Sequence, residues 1–303
     1  MKNPLRQGLE AFACFRLFRK YPGLFQFRDA FMQFSRVWLP ARVVNAVGGR
    51  GMHKGLQVLS VDGNSHVKRI HVPEIDLSFF WPGMVDNNLF FMAEQEISAM
   101  NPHAYLTPPI RCDAIETLLD VGSCEGLFSF RAARLSQGPT IHCFEPSQAM
   151  GRCLLDGAVF NHVAEQIHWH PFAVGNQVGS VRFVPGPSSD AGAVIACQPH
   201  HPEAVQSTTL DQFLADEAKT LKSGDLIKID AEGSDLDVIL GAEATIRQCK
   251  PQIAVTTYHC DEHAEAIYSL LKQWVPNYRF RLKGFSFWTE KPRPVLLQAS
   301  CLD

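Results

Sequence analysis

From about residue 113 onward, the chain alternates short apolar runs with longer stretches whose apolar positions recur every three or four residues. Short apolar runs bounded by turn residues read as buried strands, and the amphipathic stretches between them as helices. The alternation predicts a doubly wound α/β unit with a mainly parallel sheet. Strand one runs from Thr117 to Val121, followed by Gly122-Ser-Cys-Glu-Gly126 and a helix to about Leu135. Strand two covers 140–144 and ends at Glu145-Pro146. Strand three runs from about Ile167 to Val174, trailed by a hairpin through Gly175 and residues 181–184. Residues 185–207, rich in Pro, Gly, Ser and His, read as a loop. Strand four, Leu226 to Ile229, ends at Asp230-Ala-Glu-Gly233; strand five, Ile253 to Tyr258, ends at His259. A helix from about Asp261 to Trp274 follows, and 278–285 with 294–299 read as a terminal β-hairpin.

The first 112 residues have another texture. Leu24, Phe27, Phe31, Phe34 and Trp38 recur at spacings of three and four, which places them on one face of a helix bounded by Tyr21-Pro22-Gly23 and Pro40. Such a stripe docks on the body, covers a cleft or makes a homodimer contact. Residues 56–61 and 66–72 flank Asp62-Gly63-Asn64, a hairpin signal, and a helix is predicted from about Asn87 to Met100. The expected division is an N-terminal helical and β-hairpin extension over 1–112 and a second unit over 113–303.

Composition narrows the class. With 46% hydrophobic and 19% charged residues over 303 positions, the chain has material for a large core, which excludes a disordered or coiled-coil protein. No apolar run approaches the ~18 residues of a membrane span, and no small-residue cleavage site closes the start. Net charge of −3 argues against a specific nucleic-acid binder. Nine cysteines without a CxxC pair read as reduced thiols of a cytoplasmic protein, with neither a disulfide framework nor a zinc knuckle.

The candidate chemistry lies at the strand ends, where ligands of doubly wound sheets sit. Asp120 precedes the Gly122–Gly126 turn, whose spacing is GxxxG and lacks the GxGxxG of a dinucleotide site. An acid there suits the ammonium of an amino-acid-bearing cofactor and repels a pyrophosphate. Glu145, at the tip of strand two, is placed to accept hydrogen bonds from both ribose hydroxyls. Asp230 and Glu232 at the centre of the sheet edge, with His259 next door, have the makings of a proton-abstracting cluster or of a divalent-metal holder.

In chain order, Leu119-Asp120-Val121-Gly122, Phe144-Glu145-Pro146, Thr209-Leu210-Asp211, Ile227-Lys228-Ile229-Asp230-Ala231-Glu232-Gly233 and Thr257-Tyr258-His259 together resemble the FkbM family of S-adenosylmethionine-dependent methyltransferases. The resemblance covers about residues 113–300. It implies a class I methyltransferase (Rossmann-like) fold: a seven-stranded, mainly parallel sheet with a terminal β-hairpin. It also implies S-adenosylmethionine as methyl donor and O-methylation of a small-molecule, polyketide, sugar or glycan hydroxyl. The usual asparagine of the family's first motif is absent, Ser123-Cys124 standing there instead. The cofactor site expected from residues and resemblance together comprises Asp120, Gly122, Ser123, Gly126, Glu145, Pro146, Ala173 and Asp230. The expected catalytic group is His259 with Asp230 and Glu232. A neutral His259 base is the leading mechanism, and a divalent metal on the same carboxylates the rival. Asp-Ala-Glu-Gly after strand four, where amine-methylating nucleic-acid enzymes carry an Asn/Asp-Pro-Pro-aromatic turn, points to oxygen. A nicotinamide-dependent oxidoreductase and a non-catalytic partner protein are the other readings.

Overall fold

The computed structural model describes residues 4–27, 55–61, 64–85, 87–185, 192–196, 204–286 and 289–303. The N-terminal part holds α1 (Pro4–Lys20), a three-stranded antiparallel sheet of β1 (Gln57–Val61), β2 (Asn64–Val72) and β3 (Leu77–Trp81), and α2 (Asn87–Ile97). The body follows as β4 (Thr117–Val121), α3 (Leu127–Ala133), β5 (Thr140–Phe144), α4 (Gln148–Phe160), β6 (Ile167–His170), β7 (Ala173–Val174), β8 (Gly179–Pro185), β9 (Gly192–Ala196) and β10 (Ala204–Thr208). It continues with α5 (Leu210–Asp216), β11 (Leu226–Ile229), α6 (Asp235–Leu240), α7 (Glu243–Cys249), β12 (Gln252–Thr256), α8 (His263–Trp274), β13 (Arg279–Phe285) and β14 (Pro294–Ser300).

Seven strands form the main sheet in the order β13-β14-β12-β11-β4-β5-β6. The five from β6 to β12 run parallel, and β14 and β13 close the far edge antiparallel. This is the seven-stranded α/β architecture of class I methyltransferases. Every side chain of β11 and β12 is buried, as continuous apolar strands covered on both faces must be. Strand alternation sends Leu119, Val121, Ile227, Ile229 and Val255 into one apolar layer, and Leu118, Ile141, Leu226 and Ala254 into the other.

The second layer is shared with the N-terminal sheet, since Ile70, Val72, Leu77, Phe79 and Trp81 pack in the same cluster as Leu118, Phe130 and Leu154. Asn161 fastens the two: its Nδ2 donates to Ser78 O at 2.6 Å, and its Oδ1 accepts from Ser78 N–H at 3.0 Å, all buried. On the other side, the Phe25 ring stacks on Phe285 at 4.6 Å and Tyr21 meets Tyr268 edge-on.

Three sequence expectations change. Strand three is two strands: β6 belongs to the main sheet, and β7 pairs in parallel with β10 in a separate four-stranded sheet. Pro171, which has no N–H to offer a ladder, lies at the break. The expected hairpin after Gly175 is not there, because β8 pairs with β9 and β10 instead. Residues 185–207 contain two strands, β9 and β10. Of the aromatic stripe, Leu24 and Phe27 are described, Leu24 packed on the core and Phe27 79% exposed; Phe31, Phe34 and Trp38 lie outside the described residues. So do Asp62 and Gly63 of the hairpin turn. Among the described residues, no helix is long and apolar enough to cross a membrane.

Candidate active site

Strand order reverses between β4 and β11, and the loops leaving their carboxyl ends open a cleft there. The two backbones nearly touch. Gly122 stands at φ +74°, and a Cβ on it would lie 1.9 Å from the Asp230 carbonyl oxygen. Glycine alone meets both the left-handed conformation and the close approach. Gly122, Ser123, Glu145, Pro146, Ala173, Asp230 and Glu232, separated by up to 110 positions in the chain, all line this cleft.

On the β4–β5 side the wall is made of backbone and buried carboxyl groups. Glu145 accepts from Cys124 N–H at 3.1 Å and from Ser147 N–H at 2.8 Å, which fixes both its oxygens. Burial nevertheless prevails over those bonds and lifts its pKa to about 7. Ser123 Oγ and Glu125 Oε2 are buried on the same wall and make no hydrogen bond within the protein. Buried polar atoms without partners are rare, and here both face the space a ligand would fill.

Asp120 and Gly126 stand behind this wall. Asp120 is fully buried and does not reach the cleft, so the expectation that it meets the cofactor's ammonium directly is corrected. Parallel register sets it beside Lys228, whose Nζ is 2.8 Å from Asp120 Oδ1 and donates to Gly122 O at 2.8 Å. Burial alone would discharge Lys228, but Asp120 and Asp230 hold its pKa above the ordinary value. The ammonium also lies over the rings of Tyr105 and Phe128, at 5.3 and 5.6 Å. Gly126 starts α3, where a Cβ would strike Phe130 at 2.7 Å.

The β11–β12 side is a network of charged side chains. Asp230 accepts from the Tyr105 hydroxyl at 2.7 Å. Glu232 sits at φ +47°, a left-handed conformation unusual for a residue with a side chain. Behind them Asp235, fully buried, receives Ala231 N–H at 2.9 Å, Gly233 N–H at 3.2 Å and His259 Nδ1 at 2.8 Å. One carboxylate thus fastens the Glu232 loop to the imidazole. Burial opposes its charge, yet its bonds to His259 and His263 hold its pKa well below the usual carboxylate range. The turn after β12 is held from outside, since Arg293 Nη1 donates to the carbonyls of Tyr258 and His259 at 2.7 and 3.0 Å.

His259 points its Nε2 between Asp230 Oδ1, at 3.6 Å, and Glu232 Oε2, at 3.5 Å. It stands one layer behind the cleft surface, which Asp230 and Glu232 form. The expectation that His259 meets the acceptor directly is corrected in place. Burial alone would lower the His259 pKa, but the hydrogen bond to Asp235 and the charges of Asp235, Asp230 and Glu232 raise it to about 9.

Sequence reading missed Tyr105, Glu96, Glu125, Lys228 and Asp235. Lys228 and Asp235 lie within the strand-four stretch and Glu125 between the two glycines, so a signal was present. Glu96 and Tyr105 come from the N-terminal region, which carries no recognisable motif. Glu96 is buried, its pKa raised to about 7 by that burial despite an ion pair with Arg131 at 3.2 Å. Among the described lining residues, five carboxyl groups (Glu96, Glu125, Glu145, Asp230, Glu232) face one cation, Lys228. Although burial raises the pKa of Glu96, Glu125 and Glu145, a cleft so lined offers acceptors to a ligand's ammonium group and no cluster of cations to a pyrophosphate.

The parallel sheet with its antiparallel closing strands, and a cleft at its switch point, form the architecture of class I methyltransferases. Residues 120–282 match the Methyltransferase FkbM domain, over half of the chain, and the chain belongs to that family. The methyltransferase FkbM of Methylobacillus flagellatus KT is similar, with 18% identity over 71% of this chain and 56% of that one, and a TM-score of 0.47; this chain spans a little over half its length. An O-methyltransferase from Bacillus cereus in complex with SAH has 12% identity, coverage of 72% and 92%, and a TM-score of 0.40. The O-methyltransferase TomG of Streptomyces achromogenes, involved in tomaymycin synthesis and solved with SAM, has 12% identity, coverage of 72% and 91%, and a TM-score of 0.39. No curated protein matches the chain significantly.

Proposed function

We propose that the protein methylates a hydroxyl oxygen of a small molecule, polyketide or sugar. The observation that carries this reading is the pair Asp230 and Glu232 on the cleft surface, backed by His259 and Asp235. Bound S-adenosylmethionine supplies a methyl group already activated on its sulfonium. The chain's task is then to align the acceptor oxygen and receive its proton. Tyr105 engages Asp230 Oδ2, which leaves Glu232, 38% exposed, as the carboxylate nearest an entering hydroxyl. His259, with its Nε2 3.5 Å from Glu232 Oε2, orients that carboxylate, the role of a positioning residue. On the donor side, Glu145 serves the ribose, and Glu125 and Ser123 have unspent polar atoms for the amino-acid end. We place the acceptor against residues from the N-terminal part, because Met92, Gln95, Glu96 and Tyr105 line that side of the cleft.

The test is formation of S-adenosylhomocysteine from S-adenosylmethionine with panels of hydroxyl, amine and thiol acceptors. Turnover confined to hydroxyl acceptors, and lost in Glu232→Gln, is expected. Turnover with amines, or none in any panel while S-adenosylhomocysteine binds tightly, would replace this reading by an amine methyltransferase or a non-catalytic binding protein.

A further inference from the structure

The surroundings of His259 Nε2 resemble a coordination sphere. The ring is nine-tenths buried and its Nε2 makes no hydrogen bond, although two carboxylate oxygens lie 3.6 and 3.5 Å away. Those separations lie within a few tenths of an ångström of the roughly 3–3.5 Å between ligand atoms about 2.1 Å from a common centre in tetrahedral or octahedral arrangements. One oxygen each from Asp230 and Glu232 and one nitrogen of His259 all fall within 4.8 Å of one another. The other ring nitrogen donates to the fully buried Asp235, as second carboxylates do behind metal-bound histidines, fixing the tautomer that points Nε2 inward.

We infer that Asp230, Glu232 and His259 bind one divalent metal ion, of the manganese type, at the acceptor end of the cleft. Two carboxylates and one imidazole favour a first-row transition ion over magnesium, which prefers oxygen and retains its water. Three protein ligands leave positions open on the cleft side, where Asp230 and Glu232 are exposed to an incoming group. A hydroxyl oxygen entering one of them is held in place and made more acidic. That role rests on the hydroxyl-methylation reading above; the binding of the metal does not.

The experiment follows Mn2+ by its electron paramagnetic resonance signal, titrated into chelator-treated full-length protein saturated with S-adenosylhomocysteine. One Mn2+ per chain is expected to bind. Glu232→Gln and His259→Ala should each weaken binding by at least about tenfold, and Asp235→Asn by about 10–100-fold through loss of the supporting carboxylate. Glu243→Gln, a surface change on α7, should bind like the parent. Thermal unfolding of each variant separates lost ligation from lost fold, and Glu232, on the surface, serves if the buried changes unfold the protein. Absence of saturable Mn2+ binding, or equal binding by the parent, Glu232→Gln and His259→Ala proteins, overturns the inference. Acceptor turnover is measured separately, so Mn2+ binding without hydroxyl methylation sinks only the functional reading.

Discussion

On the β4–β5 side of the cleft, the ligand-facing surface is mostly main chain and carboxyl groups pinned by main-chain N–H; on the β11–β12 side it is side chains that hold one another. Glu145 is fixed by two backbone donors, whereas Asp230 and Glu232 are organised by Tyr105, His259 and, one layer further back, Asp235. The first side has its geometry set by the strand ends themselves. The second depends on residues gathered from α2's neighbourhood, two strand ends and the start of α6. A wall built from backbone suits a constant cofactor, and a wall built from exchangeable side chains suits the recognition of an acceptor.

The comparison can be broken first at the crossing that both sides share. Gly122→Ala puts a methyl 1.9 Å from Asp230 O in a left-handed conformation, so it should cost about 3 kcal/mol or more of stability and abolish cofactor binding. Thermal unfolding and calorimetry with S-adenosylhomocysteine check it; near-normal values in both would mean that the strand ends are not rigidly apposed. Next in size, Glu232→Gln should lower kcat by roughly 10²–10⁴ while cofactor affinity stays nearly the same. A matching loss in affinity would show that the two sides are not separable. Glu145→Ala should do the reverse, weakening S-adenosylhomocysteine by about 1–3 kcal/mol, the scale of charge-assisted hydrogen bonds.

The smallest effect is a pH dependence. Because burial has raised the Glu145 pKa to about 7, its carboxyl is protonated below that value and loses its charge-assisted acceptance. Affinity for S-adenosylhomocysteine should therefore fall as pH drops, by at most about tenfold from roughly pH 8 to pH 6. Titration calorimetry across that range, with Glu145→Gln expected to flatten the curve, measures it.

Legibility in the sequence follows the same divide. β4, β5, β11 and β12 are short apolar runs ended by charged or glycine-rich turns, and their ends were readable because a buried parallel strand has few ways to stop. β9 and β10 were not, because their identity as strands rests on pairing with β8, 7 to 28 positions away, and not on their own pattern. The placing of Asp120 failed for a reason of register: Lys228 neutralises it from the adjacent strand, 108 positions later. His259 was found but not its partner, since the buried Asp235 that orients the ring sits 24 positions earlier in a helix turn that looked unremarkable in sequence.

The position of β14 between β12 and β13 bears on synthesis at the ribosome. When the polypeptide has emerged only as far as β13, β12 can pair with β11 but presents an open edge, and β13 lacks its ladder partner β14, keeping only the single bridge from Leu282 to Phe25. Arg293, which ties down the Tyr258 and His259 carbonyls, is also still unmade or inside the exit tunnel. The nascent protein can thus shape its donor-side wall long before its acceptor side. Through that interval it carries an unguarded strand edge of the kind that recruits chaperones or neighbouring chains. Premature termination before residue 294 should yield an aggregation-prone fragment with no assembled acceptor side.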